Sequence, residues 1–74
     1  MKYKDDTPAI FYSMGTALEV KDLMATRDDI VAADVADHRF RGQMLGYTVI
    51  CKAKDGRTFK VSNDMADRIH GQAA

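Results

Sequence analysis

Few residues in this sequence have the types and spacing that chemistry needs. Asp34, Asp37 and His38 lie close enough along the chain to put three oxygen and nitrogen ligands on one side of a helix, and Asp37 with His38 is the pair from which a metal site would be built. Only one histidine takes part, however. The other, His70, has only Asp67 as a ligand partner at helical spacing. A solvated polar edge accounts for both groups, so no metal or other cofactor is expected. Ser13 and Ser62 lack the strand-to-helix elbow that exposes a nucleophilic hydroxyl, and no glycine-rich loop precedes a helix at phosphate-binding spacing. Cys51 stands in an apolar run and reads as a small core residue, not a nucleophile. As the single cysteine it can form neither an intrachain disulfide nor a cysteine-built zinc site, which points to a reducing, cytoplasmic compartment. The reading is therefore of a protein that is not an enzyme.

Binding is the class left open, and charge is where it would show. The net charge is zero, yet residues 1–37 hold eight acidic and four basic residues, while residues 38–74 hold seven basic and three acidic ones. This is either internal charge matching on a solvated surface or a basic region that meets an acidic partner. The candidate partner-binding residues are Arg39, Arg41, Ile50, Lys52, Lys54, Arg57 and Lys60. Two uses fit them. In the first, the protein is a small interaction module or inhibitor, of the kind carried by phages and mobile elements, that docks on a larger cytoplasmic protein or complex. Five methionines and three tyrosines are available for adaptable contacts in that role. In the second, the alternative, the cations contact the phosphates of a nucleic acid while Phe40 or Tyr47 stacks on a base. A net charge of zero favours the protein partner, because phosphate binding usually shows as a basic domain.

The element that positions most of these residues is a β-hairpin over residues 46–62, where two alternating, β-branched runs flank Lys54-Asp55-Gly56. Its register follows from the loop. A two-residue loop would leave both faces mixed, whereas a three-residue loop with Gly56 in the left-handed region puts Val49, Cys51, Phe59 and Val61 on one face. Thr48, Ile50, Lys52, Lys54, Thr58, Lys60 and Ser62 then share the other. The second register gives one buried and one wet, cationic face, as a two-layer domain requires. Ile50 is alone among lysines and threonines there, either an ordinary single exposed apolar residue or a hint of a contact patch. Phe59 and Val61 should be buried, with Lys52 and Lys60 exposed.

The flanking elements are read from period and punctuation. Thr7-Pro8 opens a short helix that Gly15 ends, although the apolar run of residues 9–14 would also suit a strand. Thr16 with Glu19 forms a capping box for a second helix with Ala17, Val20, Leu23 and Met24 on its apolar stripe. A break near Thr26 keeps charges off that stripe. Thr26 can then cap a third helix over residues 30–36, although the same residues would also make a third strand for the hairpin. Residues 37–46 form a connection, with room for a short strand at 39–41. Ser62 or Asn63 caps a short C-terminal helix that carries Met65 and Ile69 on one face and ends at Gly71. Residues 1–6 and 72–74 make ragged termini.

The expected fold is an α+β single domain over residues 1–74: N-terminal helices, an antiparallel hairpin with or without a third strand, and a short C-terminal helix. A chain of this length buries roughly 60% of its unfolded surface, so its margin of stability is thin. The opening residues carry too short an apolar run for a signal peptide, and no stretch reaches the length of a membrane span.

Overall fold

A computed structural model of the chain describes residues 7–73, with the side chains of residues 70–73 outside the description. The expected ragged residues 1–6 and Ala74 lie outside the described residues. The element order is α1 (Met14–Ala25), β1 (Ile30–Phe40), β2 (Gln43–Ala53), β3 (Thr58–Lys60) and α2 (Asn63–Ala73). The three strands form one antiparallel sheet in the order β1-β2-β3. This is a small α+β fold, with α1 before the strands and the short α2 at the C-terminal end. Among the described residues no helix is long and apolar enough to cross a membrane.

The β2–β3 hairpin has the three-residue loop. Cys51 pairs with Phe59 and Ile50 with Lys60, the Ala53 N–H donates to the Arg57 carbonyl at 2.8 Å, and the Gly56 N–H donates to the Ala53 carbonyl at 3.0 Å. Gly56 sits at φ 92°, which only a residue without a Cβ adopts freely. Val49, Cys51 and Val61 are consequently fully buried, Phe59 is half-buried, and Lys52 and Lys60 are exposed.

The apolar stripe of α1 closes over this face. Ala17, Val20 and Met24 are fully buried and Leu23 half-buried, in one core with Phe11, Ile30, Val49, Cys51, Val61, Ala66 and Ile69. α1 starts earlier than its capping box suggests: Ser13 is the extended residue before it, so Gly15 and Thr16 lie inside the helix and no capping box forms there. At its other end Thr26 closes α1 instead of opening a new helix. The Thr26 hydroxyl donates to the Leu23 carbonyl at 2.7 Å, so it satisfies one of the orphan acceptors of α1 and is not available as an N-cap.

Residues 30–36 are strand, which corrects the helix favoured by the cap. Val35 pairs with Val49 and Ala33 with Cys51, so the alternation that packs the half-buried Ala33 and Val35 against the core outweighs the helix preference of an alanine-rich run. The strand continues to Phe40, and β2 begins at Gln43, which makes the supposed connection of residues 37–46 a tight turn between two long strands.

Residues 7–11 are extended, not helical. The Ala9 N–H donates to the Val61 carbonyl at 2.9 Å and the Asn63 N–H to the Thr7 carbonyl at 3.0 Å, with Pro8 between them at a position where the ladder needs no donor. Where the chain leaves β3 to enter α2, Phe11 takes over beside β2 and exchanges two hydrogen bonds of 2.8 Å with Tyr47. This segment also corrects the expected wet face. Pro8 bridges to Ser62, Ile10 lies over Gly46, and both Thr48 and Ser62 are buried at that end. The Ser62 hydroxyl accepts the Met65 N–H at 3.2 Å and so caps α2, which runs on through Gly71 to Ala73.

Candidate binding surface

The structure divides the predicted site residues into three places. Ile50, Lys52 and Lys60 share the sheet face away from the helices, in a grid where Asp34, Ile50 and Lys60 are abreast on successive strands, as are Ala32, Lys52 and Thr58. Ile50 is half-buried there rather than isolated. Lys54 and Arg57 lie at the β2–β3 turn, where the Arg57 Nε donates to Asp55 Oδ2 at 2.8 Å. Arg39 and Arg41 lie at the β1–β2 turn, at the opposite end of β2, roughly 30 Å away by strand rise. The seven residues therefore do not form one patch.

The proposed metal ligands separate as well. Asp34 and His38 point to the open sheet face and Asp37 to the side of Tyr47, because a strand alternates where a helix would have stacked them. Among the described residues no group of three His, Cys, Asp or Glu side chains is close enough to hold a metal ion. Cys51 is fully buried, and burial pushes its thiol pKa up, away from the reactive thiolate. An open cleft of about 340 Å³ beside the β2–β3 turn is lined by Asp29, Ala53, Arg57, Thr58, Phe59 and Met65. Its two charged groups already have partners, Arg27 with Asp29 at 3.1 Å and Asp55 with Arg57 at 2.8 Å. The hydrogen bond from the Arg27 side chain holds the Asp29 carboxyl below the usual range, and the Arg57 backbone N–H does the same for Asp55.

The β1–β2 turn has a different character. Past the Phe11–Tyr47 bridge, β2 is paired with β1 alone, so a two-stranded arm extends about 13 Å beyond the third-strand contacts. Every residue from Arg39 to Leu45 is exposed, and three of them are large and apolar: Phe40, at 59% exposure, Met44 and Leu45. Tyr12, also exposed, stands at the base of the arm because its neighbour Phe11 is bridged to Tyr47. Leu45 is the extra residue of a bulge, since His38 pairs with Gly46 and Arg39 with Met44. That bulge turns the tip relative to the rest of the sheet.

The turn itself is a two-residue loop, with Arg41 at φ 52° and Gly42 at φ 80° between the paired Phe40 and Gln43. Both values are positive, as in the turn that matches strand twist and that favours Asn-Gly. An arginine in the left-handed conformation costs about 1 kcal/mol against a residue suited to it. Its guanidinium carbon lies 5.3 Å from the centre of the Phe40 ring, within cation–π range. Arg39 Nη2 stands 3.6 Å from Asp37 Oδ2, a loose and exposed pair.

Arg39, Arg41 and Phe40 are legible in the sequence as cations beside an aromatic, but Met44 and Leu45 are not singled out there. The signal that would have found them is an apolar group on both sides of Arg41-Gly42, hidden because the turn lacks the usual Asn-Gly or Asp-Gly. No protein family matches this chain, and no curated protein or solved structure does either.

Proposed function

We propose that the protein is a non-catalytic interaction module that binds a larger protein through the β1–β2 arm. The observation that carries this reading is the exposed cluster of Phe40, Met44 and Leu45 on a ribbon with no third strand. A small domain with little core to spare gains nothing in stability from placing these side chains in water, whereas a partner that covers them recovers their burial energy. The sheet face of Lys52 and Lys60, the expected contact, offers less: one half-buried Ile50 and an Asp34 in the same row. A phosphate-binding role is supported less still, because the cations are divided among the sheet face and the two turns, with Asp34 in the row of Ile50 and Lys60 and Asp37 further along the same strand.

The test is a pull-down of the tagged protein from the lysate of its host, with and without nuclease. Parent is compared with a tip variant, Phe40→Ser with Met44→Ser, and with a face variant, Lys52→Glu with Lys60→Glu. The expected result is a nuclease-resistant protein partner kept by the face variant and lost by the tip variant. Loss in the face variant alone would return the contact to the sheet, and nucleic acid recovered without a stable protein would remove the reading.

A further inference from the structure

We infer that the arm's partner presents a narrow apolar cleft with carboxylates on its rim. This rests on the reading of the arm as the contact surface, and it follows from how the tip distributes its chemistry. Phe40 and Gln43 are directly paired and share one face of the ribbon, while Arg39 and Met44 are paired and share the other. Each side of the ribbon thus offers one apolar group, and Leu45 adds a third at the bulge. A tip that is apolar on both sides is satisfied by walls on both sides, which a flat surface does not supply.

The charge of the rim follows from the arginines. No acidic residue occurs between His38 and Tyr47 in the sequence, and the described ion pairs give Arg41 no carboxylate. Its contact with the Phe40 ring leaves the guanidinium edge free for a bidentate partner and restrains the side chain before binding. Arg39, on the opposite face, is held only by the loose contact with Asp37 and can exchange it for a closer carboxylate. Carboxylates on both rims meet these two cations. A left-handed arginine where Asn or Gly would relax the turn is consistent with a side chain kept for what it contacts.

The probe is a library of displayed, disulfide-looped random peptides, whose closed loop can wall the tip on two sides, selected on the immobilised protein with removal of binders that also hold the Phe40→Ser, Met44→Ser variant. The tip-dependent peptides should be enriched in Asp and Glu beside large apolar residues. A synthetic representative should bind about tenfold more weakly to Arg41→Gln, the loss of one charge-assisted pair. It should also weaken between about 50 mM and about 500 mM salt, as exposed charges are screened. Tip-dependent peptides without acidic enrichment, indifferent to Arg41→Gln and to salt, would overturn the inference while leaving the arm as the contact. A selection in which every binder also holds the tip variant would overturn both.

Discussion

Gly46 sits where the N-terminal segment pairs beside β2, and replacing it with alanine should cost more than the same change at Gly42 or Gly56, where an added Cβ meets nothing within 4 Å. An added Cβ would stand 2.7 Å from Ile10 Cγ2 and 2.8 Å from the Phe11 carbonyl oxygen. The isoleucine can rotate away, but the carbonyl is fixed, since it accepts the Tyr47 N–H at 2.8 Å while the Phe11 N–H donates to the Tyr47 carbonyl at the same distance. The structure either loosens this reciprocal pair, at about 1 kcal/mol for each bond, or keeps the pair and absorbs overpacking strain of about 1–3 kcal/mol. A destabilisation of about 2–3 kcal/mol is expected, a large share of what a chain of this size has at roughly 0.05–0.15 kcal/mol per residue. Urea unfolding followed by circular dichroism measures it: with a slope of about 1 kcal/mol per molar, the midpoint should fall by about 2 M at unchanged slope. Adding Ile10→Ala should recover less than half of the loss, because it removes the methyl contact and leaves the carbonyl. A midpoint shift below about 0.5 M, or full recovery in the double variant, would refute the backbone contact as the constraint.

Three further outcomes follow from the same geometry. Arg41→Asn should stabilise the fold by about 0.5–1 kcal/mol, seen as a higher melting temperature, because Asn adopts the left-handed conformation more readily; an unchanged or lower value would remove the argument that the arginine is retained at a cost. The Cys51 thiol should react with a thiol-specific reagent only as fast as the domain unfolds, and fast labelling under native conditions would show that the core is open at this point. Asp55 has its carboxyl pKa held below the usual range by the Arg57 N–H, and Asp29 by the Arg27 side chain, so both are more readily ionised folded than unfolded. Their contribution is present above the unfolded value near about pH 4 and is lost as pH falls through the lowered folded value, so Asp55→Asn should flatten the acid limb of the stability profile, and an unchanged limb would count against the turn contact.

The β2–β3 hairpin was legible because loop length and side-chain sorting agreed: only the three-residue loop places Val49, Cys51, Phe59 and Val61 together, and that register is the one found. The apolar stripe of α1 was legible for a similar reason, its spacing fitting one period. The errors arose where local signals had two physical uses. Thr26 is as good a donor to the end of one helix as a cap for the next, and Thr7-Pro8 suits a sheet edge, where the absent N–H is not needed, as well as a helix start. Residues 30–36 lack a decisive period, and their strand is set by pairing with residues that lie 12 to 23 positions away. The proposed contact surface was half legible. Its charges were visible, but what separates Arg39 and Arg41 from Lys54 and Arg57 is the length of β2, and what exposes Phe40, Met44 and Leu45 is the end of third-strand pairing at Tyr47. Neither distance is encoded in composition or local spacing.

The claim that the arm is the contact surface is tested most directly by site-specific photo-crosslinking in the host cell. A benzophenone amino acid is placed at Gln43, on the tip, or at Lys60, on the open sheet face; both positions are exposed, so neither change should disturb the fold. The account predicts a discrete protein adduct from position 43 and none from position 60. Adducts from position 60 alone, or adducts to nucleic acid from either position, would contradict it.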